Sequence, residues 1–231
     1  MYLLECKKLT KHYSGHRALE NVDLQLGSGR IVGLLGPNGS GKTTMIKLAE
    51  GLLQPSSGEI LIDGEKPGAA TKAKIAYLPD REFLPDYMTI EQLLKFYGDF
   101  FADFDALRAE DMLKSLGINK NQKMKKLSKG TKEKVQLILT MSRDAKVYIL
   151  DEPIAGVDPA ARDYILKTII SNYCPDSLVI ICTHLIADIE SVLDEVVFLK
   201  NGSVVLHRNA DELREEKGKN IDRLFREVFA C

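Results

Sequence analysis

The stretch Ile31-Val32-Gly33-Leu34-Leu35-Gly36-Pro37-Asn38-Gly39-Ser40-Gly41-Lys42-Thr43-Thr44 constrains this chain more than any other. Its first half is apolar and rich in branched residues, the pattern of a buried parallel strand ending at Gly36. The spacing G-x-x-x-x-G-K-[ST] follows, and then a helical sequence from Met45 to Leu52. Gly36, Gly39 and Gly41 let the backbone curl until its N–H groups face an anion, and the helix N-terminus adds its positive dipole end. Lys42 can then reach β- and γ-phosphates, and the Thr43 hydroxyl can ligate Mg²⁺. A glycine turn that merely precedes a lysine is the alternative. The strand–loop–helix context favours nucleotide binding.

The 231 residues, 45% of them hydrophobic, suffice for one domain with a sizeable core. Lysine and arginine total 32 against 33 acidic residues, a net charge of −1, so no global charge points to nucleic acid or an anionic membrane surface. No apolar run approaches the roughly 18 residues that suggest a membrane span. Met1 to Thr10 carries Glu5, Lys7 and Lys8 in place of a signal peptide's apolar centre, so the chain is expected in the cytosol. Cys6, Cys174, Cys182 and Cys231 lack C-x-x-C pairing and read as ordinary reduced thiols.

Tyr2 to Cys6 and Leu19 to Leu26 alternate as antiparallel strands do. Tyr13 falls between them in a polar loop, Lys11 to Arg17, either as a surface tyrosine or as a stacking platform for a base. Gln54 to Gly58 is a turn by composition, Glu59 to Asp63 a strand, and Ile75 to Leu78 another, followed by Pro79 and Asp80. A helical region is expected over about Thr89 to Ile118. Its acidic residues Asp99, Asp103, Asp105, Glu110 and Asp111 read as a solvated face.

Seven lysines between Lys120 and Lys134 read as a solvated loop and helix start. Among them, Leu127-Ser128-Lys129-Gly130-Thr131 precedes a helix from about Lys132 to Arg143. Ser128 and Gly130 there mark either an N-cap or a second anion site. Val147 to Leu150 is a buried strand that ends in Asp151 and Glu152, and charge at a strand end needs a partner. Beside the phosphate loop, Asp151 would hold Mg²⁺ or its water, and Glu152 would take a proton from an attacking water. The apolar strand Ser177 to Cys182 stops at Thr183-His184, where open α/β sheets bind ligands, although a lone histidine is more often structural. Glu195 to His207 is a hairpin through Asn201-Gly202. One or two amphipathic helices follow, with Ile221, Leu224, Phe225, Val228 and Phe229 on one face.

In this fixed order the motifs resemble the ATP-binding subunit of an ABC transporter, over nearly the whole chain from Tyr13 to about Leu206. Gly36 to Thr44 matches the family's phosphate loop without a gap. Leu127 to Thr131 corresponds to its signature Leu-Ser-Gly-Gly-Gln, with Ser128 and Gly130 retained. Asp151 and Glu152 match the metal-site aspartate and the catalytic glutamate, Asp158 the dimer-contacting loop, and His184 the switch histidine. Tyr13 falls where the family stacks an aromatic ring on adenine. Three positions depart from the pattern: Asp80 stands for glutamine, Lys129 for glycine and Thr131 for glutamine. These variants are similar to subunits of ABC-2-type export systems.

The resemblance implies an α/β fold: a phosphate-loop ATPase core with a mostly parallel sheet, and an N-terminal antiparallel β subdomain. It implies one domain over residues 1–231, with a helical subdomain inserted at about 88–143 and a helical tail at about 209–231. The implied nucleotide contacts are Tyr13, Gly36, Pro37, Asn38, Gly39, Ser40, Gly41, Lys42, Thr43, Thr44, Ser128 and Gly130. Thr43, Asp80 and Asp151 would serve Mg²⁺, and Glu152 and His184 catalysis. Two such subunits, identical or related, would pair head to tail around ATP and drive a separate transmembrane permease from the inner face of the membrane. No nucleic acid partner is implied. The competing class is a soluble ABC-type ATPase acting on nucleic acid or ribosomes; one phosphate loop and a balanced charge argue against it.

Overall fold

In the computed structural model, residues 1–155 and 159–229 are described, without the side chains of 159–161, so Asp158 lies outside them. Strands β1 (Tyr2–Tyr13) and β2 (His16–Gly27) form an antiparallel hairpin, and β3 (Arg30–Leu35) leads into the glycine-rich loop and α1 (Lys42–Ala49). The polar segment from Lys11 to Arg17 is therefore not a loop. Lys11 pairs with Leu19, His12 with Arg17 and Tyr13 with His16, because the ladder continues to a two-residue turn at Ser14-Gly15. Strand β4 (Ser57–Ile62) adds to the other side of β1, giving the order β2-β1-β4. A short helix, α2 (Ala69–Lys74), carries the chain to β5 (Ile75–Leu78).

Three helices follow: α3 (Ile90–Phe100), α4 (Ala106–Ser115) and α5 (Lys129–Met141). The single helical stretch expected from Thr89 to Ile118 is thus broken, and the caps explain where. Thr89 and Gln92 cap α3 reciprocally, each side chain accepting the other's backbone N–H. Asp105 restarts the helix by accepting from the Arg108 N–H at 2.9 Å. Likewise α5 begins at Lys129 because Ser128 caps it, its Oγ accepting from the Thr131 N–H. These helices share their own core, with Ile90, Leu93, Leu113, Val135 and Ile138 at its centre.

The chain then returns to the main sheet with β6 (Val147–Asp151), α6 (Pro159–Asn172), β7 (Leu178–Cys182) and α7 (Ile186–Ile189). Strands β8 (Glu195–Lys200) and β9 (Ser203–Asn209) complete it, and α8 (Ala210–Lys217) and α9 (Ile221–Phe229) close the chain. Sheet order is β5-β6-β7-β3-β8-β9, parallel except for the β8–β9 hairpin, whose tip uses Asn201 and Gly202 at φ 50 and 81. Apolar runs such as Val147 to Leu150 and Leu178 to Cys182 are buried on both faces, as a strand between two layers requires. One face packs on α5 to α9, and the other on α1 and the antiparallel sheet. This mostly parallel α/β core with an N-terminal antiparallel sheet is the fold class expected from the sequence.

Arg143, just beyond α5, ties the helices to the sheet. It is 3% exposed. Its Nε and Nη2 donate to both Asp103 carboxylate oxygens at 2.9 Å, and Nη1 and Nη2 donate to the carbonyls of Ile75 and Ala73 at 2.5 Å. Asp103, expected on a solvated acidic face, is therefore half of a buried ion pair, and Asp105 is a helix cap. Asp111, by contrast, keeps its solvated position beside Lys114.

Candidate functional site

Strand β3 delivers the chain to a loop that only glycine can follow. A Cβ on Gly36 would stand 2.4 Å from the Leu199 carbonyl and 2.5 Å from Ser40 Oγ; Gly41, at φ 111, would meet the Ala18 carbonyl at 2.5 Å. Gly39 also has a positive φ, 81. The β8–β9 tip steadies the loop, since the Gly202 N–H donates to the Ser40 carbonyl and its own carbonyl accepts from the Glu20 N–H, both at 2.9 Å. Gly41 caps α1 with no side-chain hydrogen bond, so the first-turn amides have no side-chain acceptor. The Lys42 ammonium meanwhile lies back on the loop, donating to the carbonyls of Gly36 at 2.6 Å and Pro37 at 3.1 Å.

The loop is one wall of a cleft of about 280 Å³. Asn38 to Thr44 line it from below, Tyr13 and His16 from the β1–β2 turn, and Asp80, Asp151 and Glu152 from the ends of β5 and β6. Asp151 and Glu152 line the cleft beside the loop, as the sequence suggested, and so do Tyr13 and Asp80, which only the family resemblance implied. The sequence reading missed His16 and Ala18, which reach the cleft because the hairpin register pairs His16 with Tyr13.

Glu152 follows Asp151 with a left-handed backbone, φ 52, an uncommon conformation for a residue with a side chain. Its N–H donates to the Cys182 carbonyl at 2.7 Å, which fixes this turn against β7. Thr183 Oγ1 donates to Glu152 Oε2 at 2.8 Å, and His184 Nδ1 is 2.8 Å from Oε1. His184 is therefore beside the cleft through Glu152 and does not line it. Ser128 is an exposed N-cap, and neither Ser128 nor Gly130 lines this cleft. Lys129 instead lines an adjoining cavity of about 370 Å³ that shares Asp80, Asp151 and Glu152.

Asp80, Asp151 and Glu152 bring three carboxylates to the one cleft. Burial, then the charges of Asp80 and Glu152, push the Asp151 carboxyl up to about 6, with Lys42 and Lys47 pulling the other way. The Ser40 hydroxyl is buried without a hydrogen-bond partner. Glycine cradle, orphan hydroxyl, uncapped helix start and crowded carboxylates fit a nucleotide polyphosphate accompanied by a divalent cation. Among the described residues no group of three or more His, Cys, Asp or Glu is arranged to hold a metal alone.

Known proteins share this arrangement. The ABC transporter family model matches residues 19–155. The ABC transporter ATP-binding protein YtrB of Bacillus subtilis (strain 168) is 32% identical over 93% of this chain and 74% of its own length. The SkfA peptide export ATP-binding protein SkfE of the same organism is 31% identical over 98% of both chains. A solved ATP-binding subunit of an ABC transporter superposes with a TM-score of 0.88 at 30% identity, covering 98% of this chain and 99% of its own. The chain belongs to the ABC transporter family, as one of its ATP-binding subunits.

Proposed function

We propose that this chain closes head to tail on a second copy around two ATP molecules, hydrolyses them, and so drives a separate transmembrane permease. The observation that carries this reading is the Asp151-Glu152 pair at the mouth of the same cleft as the glycine-rich loop. Tyr13 stacks on adenine. Loop amides from Asn38 to Thr44 take the phosphates, and Lys42 exchanges the Gly36 and Pro37 carbonyls for β- and γ-phosphate oxygens, a stronger charge-assisted bond. Thr43, Asp151 and Asp80 would hold Mg²⁺, which would supply charge neutralisation on the phosphates.

Glu152 accepts a proton from the attacking water, and Thr183 and His184 fix its carboxylate while it does so. The exposed Ser128 and the half-buried Gly130 meet the partner copy's γ-phosphate, which gives an otherwise ordinary N-cap its role. Two helix N-termini converging on one anion stabilise the closed dimer only while that anion is present.

Among the described residues no helix is long and apolar enough to cross a membrane; in this reading the spanning component is a separate chain, and this one binds at its inner face. Phe83, Phe96 and Phe100 on the segment after β5 and on α3 are exposed, and Phe100 is 70% open. Clustered exposed aromatics mark a contact surface, here for the permease. In the lysine-rich segment, Lys120 pairs with Glu110, and Lys132 with Glu82 and Asp86.

The test is Glu152→Gln. With the base removed and the loop intact, ATP binding persists, turnover falls by about 10²–10⁴, and light scattering reports an ATP-dependent dimer. A variant that binds ATP and stays monomeric overturns the sandwich.

A further inference from the structure

The cavity of about 370 Å³ beside the nucleotide cleft has one wall on α5, from Lys129, Glu133 and Gln136. The ends of β5 and β6 make the other, with Asp80, Asp151 and Glu152. Gln136 is only 4% exposed. Its Oε1 accepts from the Phe83 N–H at 3.2 Å, and a backbone donor on one side of a carboxamide fixes which way round it stands. Nε2 has no hydrogen-bond partner among the described residues. Nor is it among the unpartnered atoms sealed from solvent, so its two N–H groups open on the cavity that the residue lines.

A buried amide donor is costly to leave unpaired. Glu133, three residues earlier on the same face of α5, does not take it, since its own Oε2 is unpartnered. The other side-chain donors lining the cavity, Arg81 and Lys129, are exposed. Across the cavity, Glu152 is already held by Thr183 and His184. Asp80 is exposed, just beyond β5, and has no hydrogen-bond partner among the described residues. Its segment is nonetheless tied to α5 twice, by Gln136 at Phe83 and by Lys132 at Glu82 and Asp86, both at 2.9 Å. The free donor and the free acceptor therefore stand on two elements already fastened together.

We propose that Gln136 is a positioning residue for hydrolysis, whose Nε2 donates to the Asp80 carboxylate, directly or through one water, and aims it into the nucleotide cleft. The inference rests on the reading that Asp80 serves the metal end of bound ATP. It also gives the departure at position 80 a physical reason. Glutamine, which the family has where Asp80 stands, offers an oxygen and two N–H donors together. Here Asp80 keeps the oxygens, and Gln136 brings the donors from α5.

The experiment uses the full purified chain and Gln136→Glu, which keeps the size and the acceptor for Phe83 but turns the donor into an acceptor. Turnover of ATP is expected to fall by about 10–100-fold. Mn²⁺ binding to the ATP complex, followed by electron paramagnetic resonance, should weaken by a similar factor, and ATP binding without metal should not change. Adding Asp80→Gln puts the donor on the opposite wall and is expected to restore both turnover and Mn²⁺ binding to the level of Asp80→Gln alone. A residue that only holds Phe83 is untouched by the first change and cannot be rescued by the second. Gln136→Met, which adds no charge, should show the same loss and the same restoration, and carries the test if Gln136→Glu does not fold. Parent-level turnover and Mn²⁺ binding in Gln136→Glu, or losses that Asp80→Gln leaves in place, overturn the role of Gln136 and leave the ATPase reading standing. A parent chain that binds no ATP overturns both.

Discussion

Glu50 ends α1 in a further concavity of about 270 Å³, an aromatic groove lined by Tyr77, Phe83, Tyr97, Phe100 and Phe101. Glu50→Gln tests what its buried charge costs the stability of the isolated chain. Burial is the main cause that pushes the Glu50 carboxyl from 4.5 up to about 7, against the opposing fields of Lys72 and Arg143. Below pH 4.5 the group is protonated whether the chain is folded or not, and costs nothing. As the pH rises towards 7, the unfolded chain releases this proton first, so the folded state binds more protons and loses stability. Above about 7 the full cost of the buried charge is present. At about 1.4 kcal/mol per pH unit, the rise from 4.5 to about 7 corresponds to about 3 kcal/mol. Glutamine has the same size and never ionises.

The variant is therefore expected to exceed wild type by less than about 1 kcal/mol near pH 5 and by about 2–3 kcal/mol at pH 8. Urea denaturation of both proteins at half-unit pH steps measures this. Every other titrating group, Asp151 included, is common to the two and cancels in the difference. A gap between variant and wild type that stays constant from pH 5 to 8 refutes the argument, because an uncharged loss or gain of packing carries no pH dependence.

Three further substitutions probe the scaffold and the cleft. Arg143→Met strands Asp103 and two backbone carbonyls, so about 3–5 kcal/mol of stability should go, with faster amide exchange concentrated in α3 and α4. Gly36→Ala forces a methyl to 2.4 Å from the Leu199 carbonyl and should abolish binding of a fluorescent ATP analogue while circular dichroism stays near native. Asp80→Gln keeps an oxygen ligand and relieves one of the charges that raise Asp151, so hydrolysis should be retained or increased. A loss on the order of 100-fold would assign the Asp80 carboxylate a task of its own.

What the sequence made legible divides along a physical line. The glycine-rich loop could be read because its glycines and lysine sit at a fixed local spacing, although the carbonyls of Leu199 and Ala18 that exclude a Cβ at Gly36 and Gly41 are remote in sequence. Buried strands such as Val147 to Leu150 announce themselves by an unbroken apolar run. Only the tip of the β1–β2 hairpin, Lys11 to Arg17, was misread as a loop, because Lys11, His12 and Arg17 are polar on a ladder where pairing rather than burial fixes the structure. Asp103 and Arg143 lie 40 residues apart, and nothing local distinguishes their pairing from surface charge. The left-handed Glu152 is invisible in the same way, since a β7 carbonyl imposes it from 30 positions downstream, at Cys182.

The nucleotide cleft and the aromatic groove are not independent features of the molecule. Helix α1 has eight residues, about 12 Å. Lys42 and Thr43 begin it at the nucleotide cleft, and Glu50 ends it at the aromatic groove. Strand β5 makes the same connection in parallel, with Tyr77 facing the groove and Asp80 just beyond the strand in the cleft. Short, buried elements of this kind move as rigid bodies, because close-packed interiors shift between discrete arrangements and do not stretch. A displacement of α1 or β5 at the nucleotide cleft is therefore carried to the aromatic groove, because both elements contribute to both concavities.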